Sequence, residues 1–236
     1  MKTKKCYLWA AVIAVLCVGV TLQAAPTYSG TLQYYEGIQA TQNWNTSATT
    51  FTYDVTNMGS HWRYSYTFDV GANARAISHI IIEATQDAPG IGPFTSADMD
   101  NLWTSWGIED GSPEIGSWPE GHAGNPDIPG DIYGIKFDLE DGATRFEFSF
   151  DSRRNPMLGN FYAKDGKWTN QDGTKHDVTA WNTGFLTDRD GISLEDAALN
   201  GLIVVPNATV IPAPGAILLA GIGTLTVGWL RRRQSL

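Results

Sequence analysis

The stretch "RFEFSFD", residues 145–151, indicates most plainly how this chain folds. Its apolar residues are Phe146, Phe148 and Phe150, and between them lie Arg145, Glu147 and Ser149. Because successive side chains of a β-strand point to opposite faces, the phenylalanines form one face and the polar residues the other. The stretch therefore predicts a strand with one buried face and one face in water.

Seven further segments share this aromatic and β-branched character. They are residues 31–36, 51–56, 62–70, 78–85, 132–139, 160–164 and 202–205. Turn-forming pairs such as Asp141-Gly142 and Asp165-Gly166 separate them at short intervals. Eight short strands with such turns predict an all-β domain over residues 26–209, an antiparallel β-sandwich of jelly-roll-like type.

Two short helices are expected beside the strands. Thr95 followed by Asp98 opens one, and Ser193 followed by Asp196 opens the other. A hydroxyl at the helix cap and an acidic residue three positions later satisfy free backbone amides of the first turn. Gly201 is expected to end the second helix.

Residues 86–130 lack a convincing strand pattern, and long irregular segments in compact domains usually carry function or contain hidden structure. This segment holds Trp103, Trp106 and Trp118. Flat aromatic faces stack on sugar rings, so these three tryptophans are candidate ligand-binding residues. The alternative is that they fold over a satellite apolar cluster.

The chain lacks the local motifs of common enzymes. It contains no Gly-x-Ser-x-Gly elbow, no His-Glu-x-x-His helix and no glycine-rich phosphate loop. The domain is therefore expected to be non-catalytic. Since the carboxylate pair of a glycoside hydrolase needs no fixed sequence spacing, a secreted carbohydrate-active enzyme with such a pair in residues 86–130 stays the alternative.

The segment "TDRDGISLED", residues 187–196, is a candidate calcium loop. Asp188, Asp190 and Gly191 match positions three, five and six of an EF-hand, but Leu186 and Ala197 occupy its two ends. An Asp-Gly turn leading into a capped helix is favoured over a Ca²⁺ site. No cofactor is expected, and the metal question stays open.

The first 25 residues have the features of a secretory signal peptide. Lys2, Lys4 and Lys5 precede an apolar run over residues 7–20, and Ala24 and Ala25 follow. Both cysteines, Cys6 and Cys17, lie inside this segment. The exported form then has no cysteine, which excludes disulfides, thiolate catalysis and cysteine-based zinc sites.

Charge is unevenly distributed along the chain. Three of its 16 basic residues lie in the signal peptide and three at the C-terminus, so the body between them holds ten basic against 25 acidic residues, a balance of −15. Such a surface repels phosphate backbones and anionic lipid headgroups. Nucleic acid is therefore not expected as a partner, and cations and neutral polymers fit better.

The chain closes with "VIPAPGAILLAGIGTLTVGWLRRRQSL", residues 210–236. Residues 215–230 carry no charge, and as a helix they would span about 24 Å, slightly less than a hydrocarbon core of about 30 Å. By the positive-inside rule, the arginines that follow stay in the cytoplasm and the body lies outside. This topology agrees with the signal peptide.

The order Pro-x-Pro-Gly-Ala, short Gly- and Leu-rich apolar segment and terminal arginine cluster resembles the PEP-CTERM sorting signal of Gram-negative-type bacteria. The resemblance implies that the chain is a substrate of an exosortase, a membrane transpeptidase that processes such proteins at the outer face of the inner membrane, often in cells that make exopolysaccharide. Ala213 stands where the family has Glu, which bears on the exosortase subtype. The implied roles are recognition for Pro212, Pro214 and Gly215, membrane insertion for Ala216, Leu218, Leu219, Leu225 and Leu230, and orientation for Arg231, Arg232 and Arg233.

These features predict an exported cell-envelope or extracellular-matrix protein with a non-catalytic structural or polysaccharide-binding role. The C-terminal helix first holds the precursor in the inner membrane, and processing then places the protein at the cell surface or outside the cell. Its expected partners are an exosortase and extracellular polysaccharide.

Overall fold

The computed structural model describes residues 27–86, 92–140 and 142–210. The predicted signal peptide and the sorting residues Pro212 to Arg233 lie outside the described residues. None of the helical turns within those ranges is long or apolar enough to cross a membrane.

About half of the described residues lie in strands, the strands form antiparallel sheets, and the only helical elements described are single turns, which confirms the predicted all-β class. The strands are β1 (Thr27–Gln33), β2 (Ile38–Ala40), β3 (Thr50–Asn57), β4 (Trp62–Asp69), β5 (His79–Glu83), β6 (Asp100–Thr104), β7 (Glu114–Trp118), β8 (Ile132–Asp138), β9 (Arg145–Ser152), β10 (Arg154–Gly159), β11 (Phe161–Thr169), β12 (Lys175–Asn182) and β13 (Ile203–Val210).

These strands form two large sheets and a ribbon. The five-stranded sheet has the order β1-β3-β4-β9-β6, and the six-stranded sheet has the order β2-β12-β11-β5-β8-β7. The ribbon pairs β10 with β13. The pairs β3–β4, β7–β8 and β11–β12 join neighbours within one sheet, whereas other connections, such as β4 to β5 and β8 to β9, pass from one sheet to the other.

The two sheets pack face to face through aromatic side chains. Phe51 of β3 stacks on Phe161 of β11 with ring centroids 4.3 Å apart, and Phe137 of β8 contacts Phe148 of β9 at 4.4 Å. The three phenylalanines of β9 are fully buried, as the alternation in "RFEFSFD" predicts. Burial of such aromatic rings is the main stabilising contribution in a domain without disulfides.

The predicted helices are reduced to single turns. Thr95 and Asp98 do form the predicted capping box, with the Thr95 amide donating to Asp98 Oδ2 at 2.8 Å, but the 3-10 turn covers only Ser96–Asp98. The chain then enters β6, because pairing with β9 satisfies the backbone groups that a helix would have satisfied internally. The second turn covers only Ala198–Asn200, and the left-handed Gly201 ends it as predicted.

The outer faces of the two sheets differ in how they are covered. On the six-stranded sheet, the loop of residues 119–131 folds back over an apolar cluster that includes Ile81, Trp118 and Tyr162. The Tyr162 hydroxyl donates to the carbonyl of Pro126 at 2.6 Å, which ties the loop down. The outer face of the five-stranded sheet instead carries polar residues, many of them exposed.

Candidate functional site

Strand register aligns five side chains across the outer face of the five-stranded sheet, one from each strand. In order across the sheet they are Ser29, Asp54, Ser65, Ser149 and Trp103, which we name the central row. Residues directly opposite each other in antiparallel strands point to the same face and lie about 5 Å apart. The central row therefore presents one indole, one carboxylate and three hydroxyls on one surface.

A second row of polar side chains runs beside the central row. It consists of Thr31, Thr52, Thr67 and Glu147. Parts of the two rows line a shallow open groove of about 270 Å³. Within the described residues, the hydroxyls of Ser65, Thr67 and Ser149 have no hydrogen-bond partner, so they are available to a ligand.

Trp103 reaches this face because β6 contains a β-bulge. Asp100 pairs with Asp151 and Trp103 pairs with Ser149, so three residue steps on β6 oppose two on β9. Without the extra residue, side chains at positions 100 and 103 would point to opposite faces. Asn101 takes a left-handed conformation in the bulge, with φ of 53°. The indole of Trp103 is 54% exposed as a result.

A polar network holds the bulge in place. Asn101 Nδ2 donates to Asp151 Oδ2 at 2.8 Å, and Arg63 donates to both oxygens of the same carboxylate at 2.8 and 3.0 Å. His61 Nε2 lies 3.5 Å from Asp151 Oδ2. Hydrogen bonds from Arg63 hold the pKa of Asp151 below its ordinary value, so this buried carboxylate stays charged and keeps Asn101 oriented.

A second network closes the opposite end of the face. Arg145 Nε donates to Glu147 Oε1 at 2.7 Å, and Arg145 Nη1 donates to Asp69 Oδ2 at 3.1 Å. Both arginines of this face, Arg63 and Arg145, are therefore engaged by carboxylates.

The three candidate tryptophans do not share one surface. Trp103 lies in the central row. Trp106 follows β6, is 40% exposed and donates from Nε1 to the carbonyl of Glu140 at 2.9 Å. Trp118 is 6% exposed and belongs to the apolar cluster on the outer face of the six-stranded sheet. Trp118 thus has the satellite-cluster role that the sequence left as the alternative.

The carboxylates of residues 86–130 also lie on different parts of the fold. Asp98 accepts two hydrogen bonds from the buried guanidinium of Arg154, both at 2.8 Å. Burial alone would raise the pKa of Asp98, but the hydrogen bonds from Arg154 and Thr95 bring it below the ordinary value. Asp100 lies on the five-stranded sheet and Glu114 on the six-stranded sheet.

The candidate calcium loop, residues 187–196, forms turns and caps. Asp188 Oδ1 accepts the amide of Asp190 at 3.1 Å, and the Ser193 hydroxyl donates to Asp196 Oδ2 at 2.8 Å. In the part of the chain that the structure describes, no three His, Cys, Asp or Glu side chains come together as a group that could hold a metal ion.

The sequence indicates Trp103 as a candidate but does not indicate the residues that accompany it. The alternation in β9 marked Ser149 as water-facing, and the same signal was present in β3 and β4 for Asp54 and Ser65. That signal gives the face of each residue but not its neighbours on other strands. No family model matches the chain, and no curated protein or solved structure matches it either.

Proposed function

We propose that this chain is an exported protein whose β-sandwich binds extracellular polysaccharide without cleaving it. The observation that carries the proposal is the central row, in which the exposed indole of Trp103 is aligned with Ser149, Ser65 and Asp54. An indole face takes the apolar side of a sugar ring, and neighbouring hydroxyls and carboxylates exchange hydrogen bonds with sugar hydroxyls.

The form of the face favours a polymer over a small molecule. Strands of a sheet lie about 4.8 Å apart, so the central row extends across five strands for roughly 19 Å. The groove beside it is shallow and open, unlike the deep cavities that enclose most small ligands. A chain of several sugars lying across the strands matches this length.

Charge supports a neutral or cationic polymer. The body carries an excess of 15 acidic residues, and the two arginines of the face are engaged by carboxylates. A polyanion would meet repulsion at long range and no free arginine on this face.

The sequence patterns at the two ends of the chain indicate where in or around the cell this binding takes place. The signal-peptide pattern favours export, and the resemblance of the tail to PEP-CTERM signals favours processing by an exosortase at the inner membrane and display at the cell surface or in the matrix. We also assign the sandwich to the jelly-roll-like type, an assignment supported by the many connections that pass between the two sheets.

The test compares Trp103→Ala with Trp168→Ala in the full-length chain. Trp168 is a matched control, because it is 36% exposed but lies on β11 of the other sheet. Retention on insoluble cellulose and chitin and titration with their soluble oligosaccharides measure binding. We expect Trp103→Ala to weaken binding about tenfold or more, a loss of about 1.4 kcal/mol, and Trp168→Ala to bind like the wild type.

Two results would overturn the proposal. Equal binding by the Trp103→Ala variant and the wild type would show that the central row is not the binding surface. Release of new reducing ends from these polymers by the wild type would favour the carbohydrate-active enzyme instead.

A further inference from the structure

Asp54 is the carboxylate of the central row, and no basic side chain of the described residues neutralises its charge. Of the other carboxylates on this face, Asp69 and Glu147 share Arg145, and Asp151 binds Arg63. Asp100 lies opposite Asp151, outside the central row. Asp54 has no ion-pair partner within the described part of the chain.

The surroundings of Asp54 leave its carboxylate open to a ligand. Its side chain is exposed and lies directly between Ser29 of β1 and Ser65 of β4. Oδ1 accepts a hydrogen bond from the Thr56 hydroxyl at 2.8 Å, and Oδ2 accepts none from the described residues. A ligand ammonium would find here an acceptor that is both charged and already oriented.

The distance between Asp54 and Trp103 determines which sugars of a polymer could contact each residue. The two residues are separated by three strand intervals, which is roughly 14 Å. One sugar ring cannot span that distance. A polysaccharide lying along the central row would stack one sugar on Trp103 and place another sugar over Asp54.

We infer that the outer face prefers polysaccharide whose sugars carry free amino groups, with Asp54 as the residue that selects the ammonium. This inference rests on the proposed function. The ligand class follows from charge complementarity, because Asp54 attracts a cationic sugar, tolerates a neutral sugar and repels a uronate.

The experiment uses two oligomers that differ at the amino group of each sugar, which is a free amine in one and a neutral acetamide in the other. They are a glucosamine hexamer and its fully N-acetylated counterpart, titrated into the full-length chain at a pH where the amine is protonated. We expect the wild type to bind the amine oligomer about tenfold more tightly. That preference should fall several-fold in Asp54→Asn, and it should disappear at about 1 M salt, where surface charge is screened.

Asp172→Asn is the matched control. Asp172 is an exposed aspartate in the turn between β11 and β12, where it accepts hydrogen bonds from Thr174, a role that asparagine can fill in part. This variant should keep the full preference of the wild type.

The outcomes separate this inference from the proposed function. Equal affinity of the wild type for the two oligomers, or an unchanged preference in Asp54→Asn, would overturn the role of Asp54. Loss of binding to both oligomers in Trp103→Ala would still support the proposed function. If Trp103→Ala bound both oligomers like the wild type, the assignment of the central row as the binding surface would be wrong.

Discussion

One asparagine in a left-handed conformation turns Trp103 toward the outer face. Asn101 has φ of 53°, a region that asparagine tolerates better than most residues, and its side chain binds the Asp151 carboxylate. We predict that Asn101→Ala lowers the free energy of unfolding by about 1–2 kcal/mol, because it loses this hydrogen bond and strains the bulge. Urea denaturation measures this change.

Substitutions of Asn101 also test whether the β-bulge is needed for polysaccharide binding. Asn101→Gly allows the left-handed φ but lacks the amide, so it should be less destabilised than Asn101→Ala. Binding to oligosaccharide should weaken in Asn101→Ala even where the protein is fully folded. Wild-type stability and affinity in Asn101→Ala would show that Asn101 does not position Trp103.

The buried side chain of His79 makes the free energy of unfolding depend on pH. Burial, together with the nearby Lys136, lowers the pKa of His79 from 6.5 to about 4. The unfolded chain therefore binds more protons than the folded chain between these values. The free energy of unfolding is expected to be highest above pH 6.5 and to fall by on the order of 3 kcal/mol as the pH drops to about 4.

Replacement of His79 by glutamine should remove this slope. The lowered pKa values of Asp98 and Asp151 affect stability mainly below pH 4, so the two pH windows are separate. The denaturant midpoint of His79→Gln should change little from pH 7 to pH 4. The substitution can shift all of these midpoints by a constant amount relative to the wild type without affecting this test. A slope equal to that of the wild type would contradict the assignment.

At the scale of elements, two glycines paired across β7 and β8 have different steric surroundings. Gly134 of β8 pairs with Gly116 of β7, yet a Cβ on Gly134 would collide with the carbonyl oxygen of Ile82 in β5. A Cβ on Gly116 would meet the Trp118 ring at 3.7 Å and Glu114 Oε1 at 3.9 Å, both ordinary contacts. We predict that Gly134→Ala lowers the free energy of unfolding by about 2–3 kcal/mol, because β5 and β8 must separate.

Gly116→Ala is the control in the same sheet. It should stay within about 0.5 kcal/mol of the wild type in guanidinium denaturation. Similar losses in both variants would show that β5 and β8 do not approach as closely as described.

Strands rich in aromatic and β-branched residues could be predicted from sequence, and five others could not. β3, β4, β8 and β9 lie within a residue or two of their predicted positions. The sequence missed β2, β6, β7, β10 and β12. β2 has only three residues, β10 contains Pro156, and β6 follows a real helix-capping signal at Thr95 that serves a single turn. These elements depend on pairing with distant strands more than on local propensity.

The same limit applies to the candidate site at the scale of the whole molecule. Trp103 stood out by residue type, but its alignment with Ser65 requires β4 to pair with β9, more than 70 residues further along the chain. Local periodicity contains no information on that register. The grouping of Trp103 with Trp118 was misleading for this reason, since β6 and β7 join different sheets.

The two ends of the chain predict how the whole molecule reaches its place of action. Intact-mass spectrometry of the protein from its own cells should show loss of residues near Ala25 and near Pro214. We expect replacement of Pro214 and of Arg231 to Arg233 to prevent the C-terminal cut and surface display, as in a host that lacks an exosortase. Trp103→Ala should be processed normally, and unchanged processing of the tail variant would contradict the sorting role.

The most direct test of the binding face is hydroxyl-radical footprinting of the full-length chain, with and without a saturating glucosamine hexamer or its N-acetylated counterpart. Mass spectrometry reports the oxidation of each tryptophan. Binding at the central row predicts that oxidation of Trp103 falls several-fold while that of Trp168, exposed on the other sheet, stays constant. Protection of Trp168 without protection of Trp103 would contradict the proposal that this face binds polysaccharide.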